Sequence, residues 1–415
     1  MIRAFSTSLF FNALGSALSG IAIIVVIGIL GPAEWGGAAA ILGVGQFLGG
    51  LLSFGSHTER IRSYSQLPPD ERILQGGIES ASRIAVAATL IVIATILAFI
   101  WIDAAAVVIA AAGTFVSLGV SVRYIADKRY ATAGLFISLD KLLALLTVIV
   151  LSANGLITYL TLPFLLGATS VIVGLAVLGV QKRLTTLIVR GFAFKRILRT
   201  WRGSIHFGIS SLAPSLLLFD VPLVLMASDA TQAGLFGVAT RLTAPLSIAA
   251  SSIAAVLLPV FAASNSRILP RLSGRAMLLI GGFVGVLAIL IATASVWVPL
   301  LFGAEFADAA WPVRFYILNV AVILLTRTFA TILQAWGSER LVSRLILAQV
   351  VVALVGIWLG ALAGGAFGAS IAVLVSNVVL AAMLFVQLRR SGRRADPEAS
   401  KIDFESPNSE GTAAT

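Results

Sequence analysis

Residues 181–204 read QKRLTTLIVRGFAFKRILRTWRGS, the one long interruption in the middle of an otherwise apolar chain. Seven lysines or arginines stand here among apolar residues at helical spacing. At about 100° per residue, Phe194, Ile197, Leu198 and Trp201 share one side of a helix and most cations the other. Such a helix lies in the membrane surface against anionic lipids. The alternative is a solvated loop, and either interpretation makes the segment cytoplasmic.

The composition predicts an all-α polytopic membrane protein. The chain is 59% hydrophobic and 11% charged, whereas soluble domains carry about 25% charged residues. Several apolar runs reach the roughly 20 residues that cross a bilayer as a helix. Twelve spans are predicted, at about 9–30, 36–54, 81–102, 104–122, 130–151, 155–180, 205–227, 233–262, 276–302, 309–336, 341–362 and 367–388. A polar loop is expected at 57–77.

The loop charges predict the orientation of these spans. With both termini cytoplasmic, the basic loops all fall on the cytoplasmic side. The charged residues of the opposite loops are all acidic, with no Lys or Arg among them. This alternation is what the positive-inside rule expects. The predicted organisation is an N-lobe of helices 1–6 at 1–180, the amphipathic connector at 181–204, a C-lobe of helices 7–12 at 205–388, and a disordered cytoplasmic tail at 389–415.

Residue types that are missing exclude several kinds of chemistry. The chain has no cysteine and only two histidines, which excludes disulfides, thiolate nucleophiles and Cys or His-rich metal sites. It also lacks the G-x-x-x-x-G-K-[ST] motif of ATP-binding loops. The net charge of +11 comes largely from loops beside the membrane, so nucleic acid is not expected as a partner.

Charges inside the spans are the candidate site residues: Asp140 and Lys141 in span five, Asp220 in span seven, Arg241 in span eight and Arg327 in span ten. Each costs about 2.5–3.5 kcal/mol on insertion scales unless it is paired or solvated. Six spans per half give both halves the same direction across the membrane. A substrate or ion site between the two halves follows from that arrangement.

The prolines near Asp220 and Arg241 leave two interpretations open. Pro214, Pro222 and Pro245 break helical hydrogen bonding, which is tolerated where helices line a wet cavity. Alternatively, Asp220 and Arg241 form a structural pair, and we expect them within ion-pair or one-water distance of each other.

The remaining intramembrane charges are ranked by depth and direction. Asp140 and Lys141 are adjacent, point about 100° apart and are not expected to pair. Arg314 is expected to reach the outer headgroups, whereas Arg327 is the better anion-binding candidate. Asn12, Gln46, Asn319, Gln349 and Asn377 are assigned only to hydrogen bonds between helices.

Three stretches resemble a known family: LGPAEWGGAAAILGVGQFLGGLLSFG at 30–55, FDVPLVLMASDATQAGLFGVATRLTAPLSIAASSIAAVLLPVFA at 219–262, and VPLLFGAEFADAAWPVRFYIL at 298–318. They are similar to LG-x-x-x-x-G, A-G-x-[YF]-x-x-A-x-[RK]-L-x-x-P and L-[FY]-G-x-x-[FY]. The family is that of the polysaccharide flippases, O-antigen flippases included, of the multidrug/oligosaccharidyl-lipid/polysaccharide (MOP) superfamily. Asp220, Arg241 and Pro245 fall on matching motif positions, whereas Lys141 and Arg327 match no motif.

The resemblance implies a two-lobed, twelve-helix alternating-access transporter in the bacterial plasma membrane. Its implied substrate is an undecaprenyl-pyrophosphate-linked oligosaccharide, with anionic lipids and other membrane proteins of glycan assembly as candidate partners. No cofactor is expected, although a Na⁺ or H⁺ gradient is compatible with the missing ATP motif. The alternative is a cation-coupled multidrug exporter like those of the MATE family. A membrane enzyme or scaffold is disfavoured, because neither a large outer loop nor a carboxylate cluster is present.

Overall fold

The structure is a computed structural model that describes residues 2–53, 67–126, 130–179, 215–263, 274–335 and 338–393. The connector at 181–204 lies outside these residues, as does the chain beyond 393. Within the described ranges the regular structure is helical throughout. The predicted tail at 389–415 starts too early, because the last helix continues to Arg393.

Five helices form the first half of the molecule: α1 (Ile2–Ser53), α2 (Pro69–Ala98), α3 (Ile102–Ala126), α4 (Tyr130–Ala153) and α5 (Thr161–Gly179). The second half contains α6 (Asp220–Ala227), α7 (Ala230–Ala263), α8 (Gly274–Phe302), α9 (Ala310–Ala335) and α10 (Glu339–Arg393), with a 3₁₀ helix at Ala304–Ala309 between α8 and α9. A short helical segment at 215–217 and a turn at 218–219 lead into α6.

The two longest helices are each bent into two arms. In α1 the bend is at Gly31, whose φ is +71°, and in α10 it is at Gly364 and Gly365, where φ of Gly365 is +57°. Each arm is long enough to cross a bilayer alone. Among the described residues, six helices are long and apolar enough to span a membrane, and three shorter apolar helices accompany them. The chain is a multi-pass membrane protein, and the number of twelve crossings stays a prediction.

Helix α2 begins earlier than the sequence interpretation placed it. The loop predicted at 57–77 is wrong in its second part, because α2 starts at Pro69. Proline is favoured in the first helical turn, where its missing N–H is not needed. Glu71 follows in the same turn, and an acidic side chain there stabilises the positive end of the helix dipole.

Within the first half, Gly45 and Gly49 of α1 stand at the GxxxG spacing that predicts a close helix contact, and the structure confirms it. A Cβ atom added at Gly45 would lie 2.9 Å from the carbonyl oxygen of Val107, and one at Gly49 would lie 2.6 Å from that of Ala111. Both neighbours belong to α3. The two glycines, four residues apart, therefore let α1 and α3 approach backbone to backbone.

The halves meet along a surface that we call the seam, where the second arm of α1 (32–53) contacts α6 and α7. A Cβ atom at Gly36 would overlap the carbonyl of Ala230, and one at Gly234 would overlap that of Pro32. The seam is therefore closed by direct backbone contact at this end. The same end carries the acidic residues Glu34, Asp103, Asp229, Glu305 and Asp308.

The three stretches that carry the family resemblance meet at this closed end. Gly31 begins the second arm of α1 and lies against the Glu305 carboxylate. Gly234 of the second stretch contacts Pro32. In the third stretch, Gly303 takes a φ of +100° before the 3₁₀ helix, and Phe306 is fully buried. The motifs thus build one packed junction between the halves.

Candidate functional site

A polar cavity of about 380 Å³ lies inside the second half of the molecule. The residues that line it come from α6, α7, α9, α10 and the short segment before α6. Its polar lining consists of Asp220, Ser247, Tyr316, Asn319, Thr326, Arg327, Gln349 and Asn377. The sequence predicted a site between the halves, but the structure brings Asp220 and Arg327 together within one half. We call this space the C-terminal cavity.

Asp220 enters the C-terminal cavity from a broken helix. The turn at 218–219 interrupts the helical path, and α6 restarts at Asp220 with Pro222 in its first turn. The Asp220 carboxylate accepts a hydrogen bond of 2.7 Å from the backbone N–H of Val221. A carboxylate at a helix N-terminus is stabilised by the free N–H groups and the helix dipole. The predicted break near Asp220 is present, whereas α7 continues through Pro245.

Asn319 is the residue of this cavity that the sequence interpretation undervalued. Its side chain is 4% exposed, lines the cavity and, within the described part of the chain, has no hydrogen-bond partner for Oδ1. Buried polar atoms nearly always have a partner. The orphaned oxygen therefore calls for a hydrogen-bond donor or a cation in the cavity, close to the wall that carries Asp220.

Arg241 lies at the seam, where its guanidinium crosses from one half to the other. Nη1 and Nη2 donate to Oε1 of Gln46 at 3.3 and 3.4 Å. Arg241 and Asp220 form no direct ion pair among the described residues, but their charges interact electrostatically, and the expectation of ion-pair or one-water distance stays a prediction. Gln46 is neutral, so the contact that holds Arg241 at the seam does not itself compensate the positive charge.

Asp140 and Lys141 form a separate cluster in the first half, and the expectation that they would not pair is wrong. The Lys141 ammonium lies 2.8 Å from Oδ2 of Asp140. Ser170 of α5 donates to both carboxylate oxygens, at 2.9 and 3.1 Å. Asp140 is 4% exposed. A flexible four-carbon stem lets the ammonium return to its neighbour's carboxylate despite the 100° between adjacent side chains.

Two further arginines behave differently from their sequence interpretation. Arg314 does not extend freely: Nε donates to the carbonyl of Ile291 at 3.1 Å, and the guanidinium lies 4.6 Å from the ring centre of Trp311. Arg83, to which the sequence interpretation gave no role, is 2% exposed and donates to the carbonyl of Phe115 at 2.8 Å. The helix-start signal at Pro69 would have placed Arg83 about 21 Å inside α2.

Solved structures of membrane transporters share this arrangement. The lipid II flippase MurJ in an inward closed conformation aligns over 94% of this chain and 88% of its own, with 12% identity and a TM-score of 0.62. An inward-facing multidrug resistance transporter of the MATE family aligns over 91% of this chain and 94% of its own, with 14% identity and a TM-score of 0.60. The chain has the MOP transporter fold.

Other members of the MOP fold give the same result at similar identity. A MOP superfamily transporter from Pyrococcus furiosus, for which a reversed polarity of the binding pocket suggests a different function, covers 94% of this chain and 96% of its own. It shares 13% identity, with a TM-score of 0.55. No protein-family model and no curated protein sequence matches the chain. The MOP fold is thus identified from the three-dimensional structure.

Proposed function

We propose that this protein is a flippase that moves an undecaprenyl-pyrophosphate-linked oligosaccharide from the inner to the outer leaflet of the bacterial plasma membrane. Alternating access driven by an ion gradient carries the substrate between the two halves. The MOP fold, which the lipid II flippase shares, supports a transporter whose cargo is a lipid. The termini and the basic connector at 181–204 face the cytoplasm, where the connector binds anionic lipids.

One observation carries the choice of an anionic cargo: Arg241 at the seam contacts neutral Gln46 and forms no direct ion pair within the described residues. Arg241 lies 11 residues into α7, about 16 Å from that helix end. A guanidinium is costly at membrane depth and is kept where it has a task. It offers paired donors to the oxygens of a phosphate, which an ammonium does not.

The sign of the charge discriminates between cargoes. A phosphate oxygen at about 4 Å from Arg241 gains roughly 4 kcal/mol at an effective dielectric constant of about 20. A cationic drug at the same place is repelled by a similar amount. Arg327 of the C-terminal cavity adds a second positive charge, whereas Lys141 is already neutralised by Asp140.

The C-terminal cavity is the proposed place of the coupling ion. The Asp220 carboxylate and the orphaned Oδ1 of Asn319 are hard oxygen acceptors of the kind that suits Na⁺ or a transferred proton. The break at 218–219 puts this cavity next to the seam, so occupancy can bias the contact between the halves. An Asp220→Asn protein would then catalyse lipid movement that no longer responds to a Na⁺ or H⁺ gradient.

A cation-coupled multidrug exporter is the second candidate function. The acidic Asp220 inside a cavity favours it, and the MATE transporters share the fold at similar TM-scores. Under this alternative the cavity holds the cationic drug itself, and Arg241 serves only to join the halves.

The two functions are separated in liposomes that contain the purified protein. One assay follows the transbilayer movement of a fluorescent polyprenyl-pyrophosphate-linked disaccharide, and the other the accumulation of ethidium under a Na⁺ or H⁺ gradient. We expect the lipid to move and ethidium not to accumulate. Arg241→Gln should slow the lipid at least tenfold, whereas Arg314→Lys, at a residue held by Ile291 and Trp311, should not. Ethidium accumulation without lipid movement would overturn the proposal.

A further inference from the structure

An open groove of about 410 Å³ crosses the seam on the other side of α6 from the C-terminal cavity. Phe47 of α1 forms one wall, Leu216, Phe219 and Leu223 form the floor, and Leu354, Val355 and Trp358 of α10 form the far wall. Every lining side chain is apolar. We call it the seam groove.

The seam groove and the C-terminal cavity share their dividing wall but no lining residue. Leu217 and Asp220 face the polar cavity, whereas Leu216 and Phe219 face the groove. The same division occurs along the first arm of α10. The wall therefore separates a space suited to an ion from a space suited to hydrocarbon.

Both halves of the molecule contribute to the groove, and the residue that precedes Phe47 in α1 holds a cation. The ring of Phe47 meets that of Phe219 edge to face, with 5.5 Å between the ring centres. Gln46, the residue before Phe47, holds the Arg241 guanidinium. Consecutive residues of α1 therefore hold Arg241 and form one wall of the apolar groove.

We propose that the seam groove binds the polyprenyl chain of the lipid-linked substrate next to its pyrophosphate, while Arg241 binds the pyrophosphate itself. This inference rests on the proposed function. An ordinary phospholipid keeps its phosphate at the membrane surface, whereas Arg241 lies about 16 Å from the end of α7, in a hydrocarbon layer about 30 Å thick. Only a lipid whose headgroup has entered the protein can occupy Arg241 and the groove together.

The position of the groove across the seam adds a consequence for transport. When the halves separate, Phe47 moves away from Phe219 and the wall of the groove opens. A chain held there remains in apolar surroundings while the polar headgroup travels between the halves. The chain binding site and the headgroup path are then coupled through the same contact.

The test uses the full-length protein in nanodiscs and radiolabelled geranylgeranyl pyrophosphate as the probe. Val355→Trp fills the groove from an exposed position. Val386→Trp is the matched control, because Val386 lies on the same helix in another open groove of about 410 Å³. We expect Val355→Trp to weaken binding of the probe at least tenfold and Val386→Trp to leave it unchanged. Equal affinities of both variants would overturn the assignment.

A second measurement does not depend on the folding of a variant. A benzophenone-bearing farnesyl pyrophosphate is crosslinked to the unaltered protein, and the labelled peptides are mapped by mass spectrometry. Labels at Phe47 or within 354–358 support the groove, and labels at 379–387 or elsewhere refute it. Competition by phosphatidylglycerol as strong as by unlabelled probe would show a site for ordinary lipids and also refute it.

The outcome for the groove is separate from that for the proposed function. If Val355→Trp binds the probe and moves the glycolipid normally, the groove is not the chain site, although the flippase function stands. If the unaltered protein neither binds the probe nor moves the glycolipid, both proposals fail.

Discussion

Replacing Gly36 by alanine should force the halves apart at the acidic end. An added Cβ would overlap the carbonyl of Ala230 and lie 2.8 Å from the backbone nitrogen of Gly234, where ordinary contact begins at 3.4 Å. The obstructing atoms are backbone, so no side chain can rotate away. Overpacking of this kind costs about 1–3 kcal/mol.

The neighbouring Gly37 provides a matched control. A Cβ there would meet only the Tyr159 ring, at 3.4 Å, which is ordinary contact. Both alanine variants gain the same helix propensity, up to about 1 kcal/mol, so their difference isolates the clash. About 1.4 kcal/mol changes an equilibrium constant tenfold. The ratio of molecules with a closed seam to molecules with an open seam should therefore be about five- to 150-fold lower in Gly36→Ala than in Gly37→Ala.

Cysteine labelling measures this shift, because the chain contains no cysteine of its own. Ala39 is fully buried behind the contact, so Ala39→Cys reports on opening. Its reaction with a water-soluble maleimide should accelerate at least fivefold when Gly36→Ala is added and stay constant with Gly37→Ala. Equal labelling rates in the two backgrounds would show that the backbone contact does not hold the seam closed.

Three further predictions follow from the other charged residues and the connector. Breaking a fully buried ion pair costs about 3–5 kcal/mol, and Lys141→Met should cost less because Lys141 is 31% exposed. Adding Asp140→Asn should restore most of the lost stability, as measured by thermal unfolding. Arg327→Lys should reduce glycolipid movement whereas Arg314→Lys should not, and normal movement by Arg327→Ala at equal protein level would assign Arg327 to packing. A cysteine at Ser204 should react with an impermeant reagent only from the cytoplasmic side, and labelling of intact cells from outside would contradict the orientation.

The sequence predicted correctly those features that depend on the residues of a single helix. Apolar runs predicted the helices, because a membrane span needs only length and hydrophobicity. The spacing of Gly45 and Gly49 predicted a close helix contact, which α3 provides. The break near Asp220 followed from its prolines. The prediction of an all-α membrane protein with a MOP fold is confirmed.

Predictions were incomplete or wrong where the contact depends on another helix or on the reach of a long side chain. The depths of Asp220 and Arg241 placed them near each other, but they gave no sign that Gln46 of the other half accepts a hydrogen bond from the guanidinium. Asp140 and Lys141 were separated by helical geometry, yet a long side chain and Ser170 bring their charges together. The substrate site expected between the halves stays a prediction, and the polar cavity within the second half was not predicted, because no sequence pattern states which helix faces which.

The junction at the acidic end has a consequence for how such proteins are recognised. The stretches that resemble the flippase family converge on Gly31, Gly36, Gly234 and Gly303, which shape the closure between the halves and touch neither the C-terminal cavity nor the seam groove. Sequence similarity at these glycines therefore reflects how the two halves close against each other. Under the proposed function the cargo is recognised at Arg241 and Phe47, which lie in the same stretches as these glycines. Homologues sorted by those two positions should then divide by substrate more sharply than homologues sorted by overall similarity.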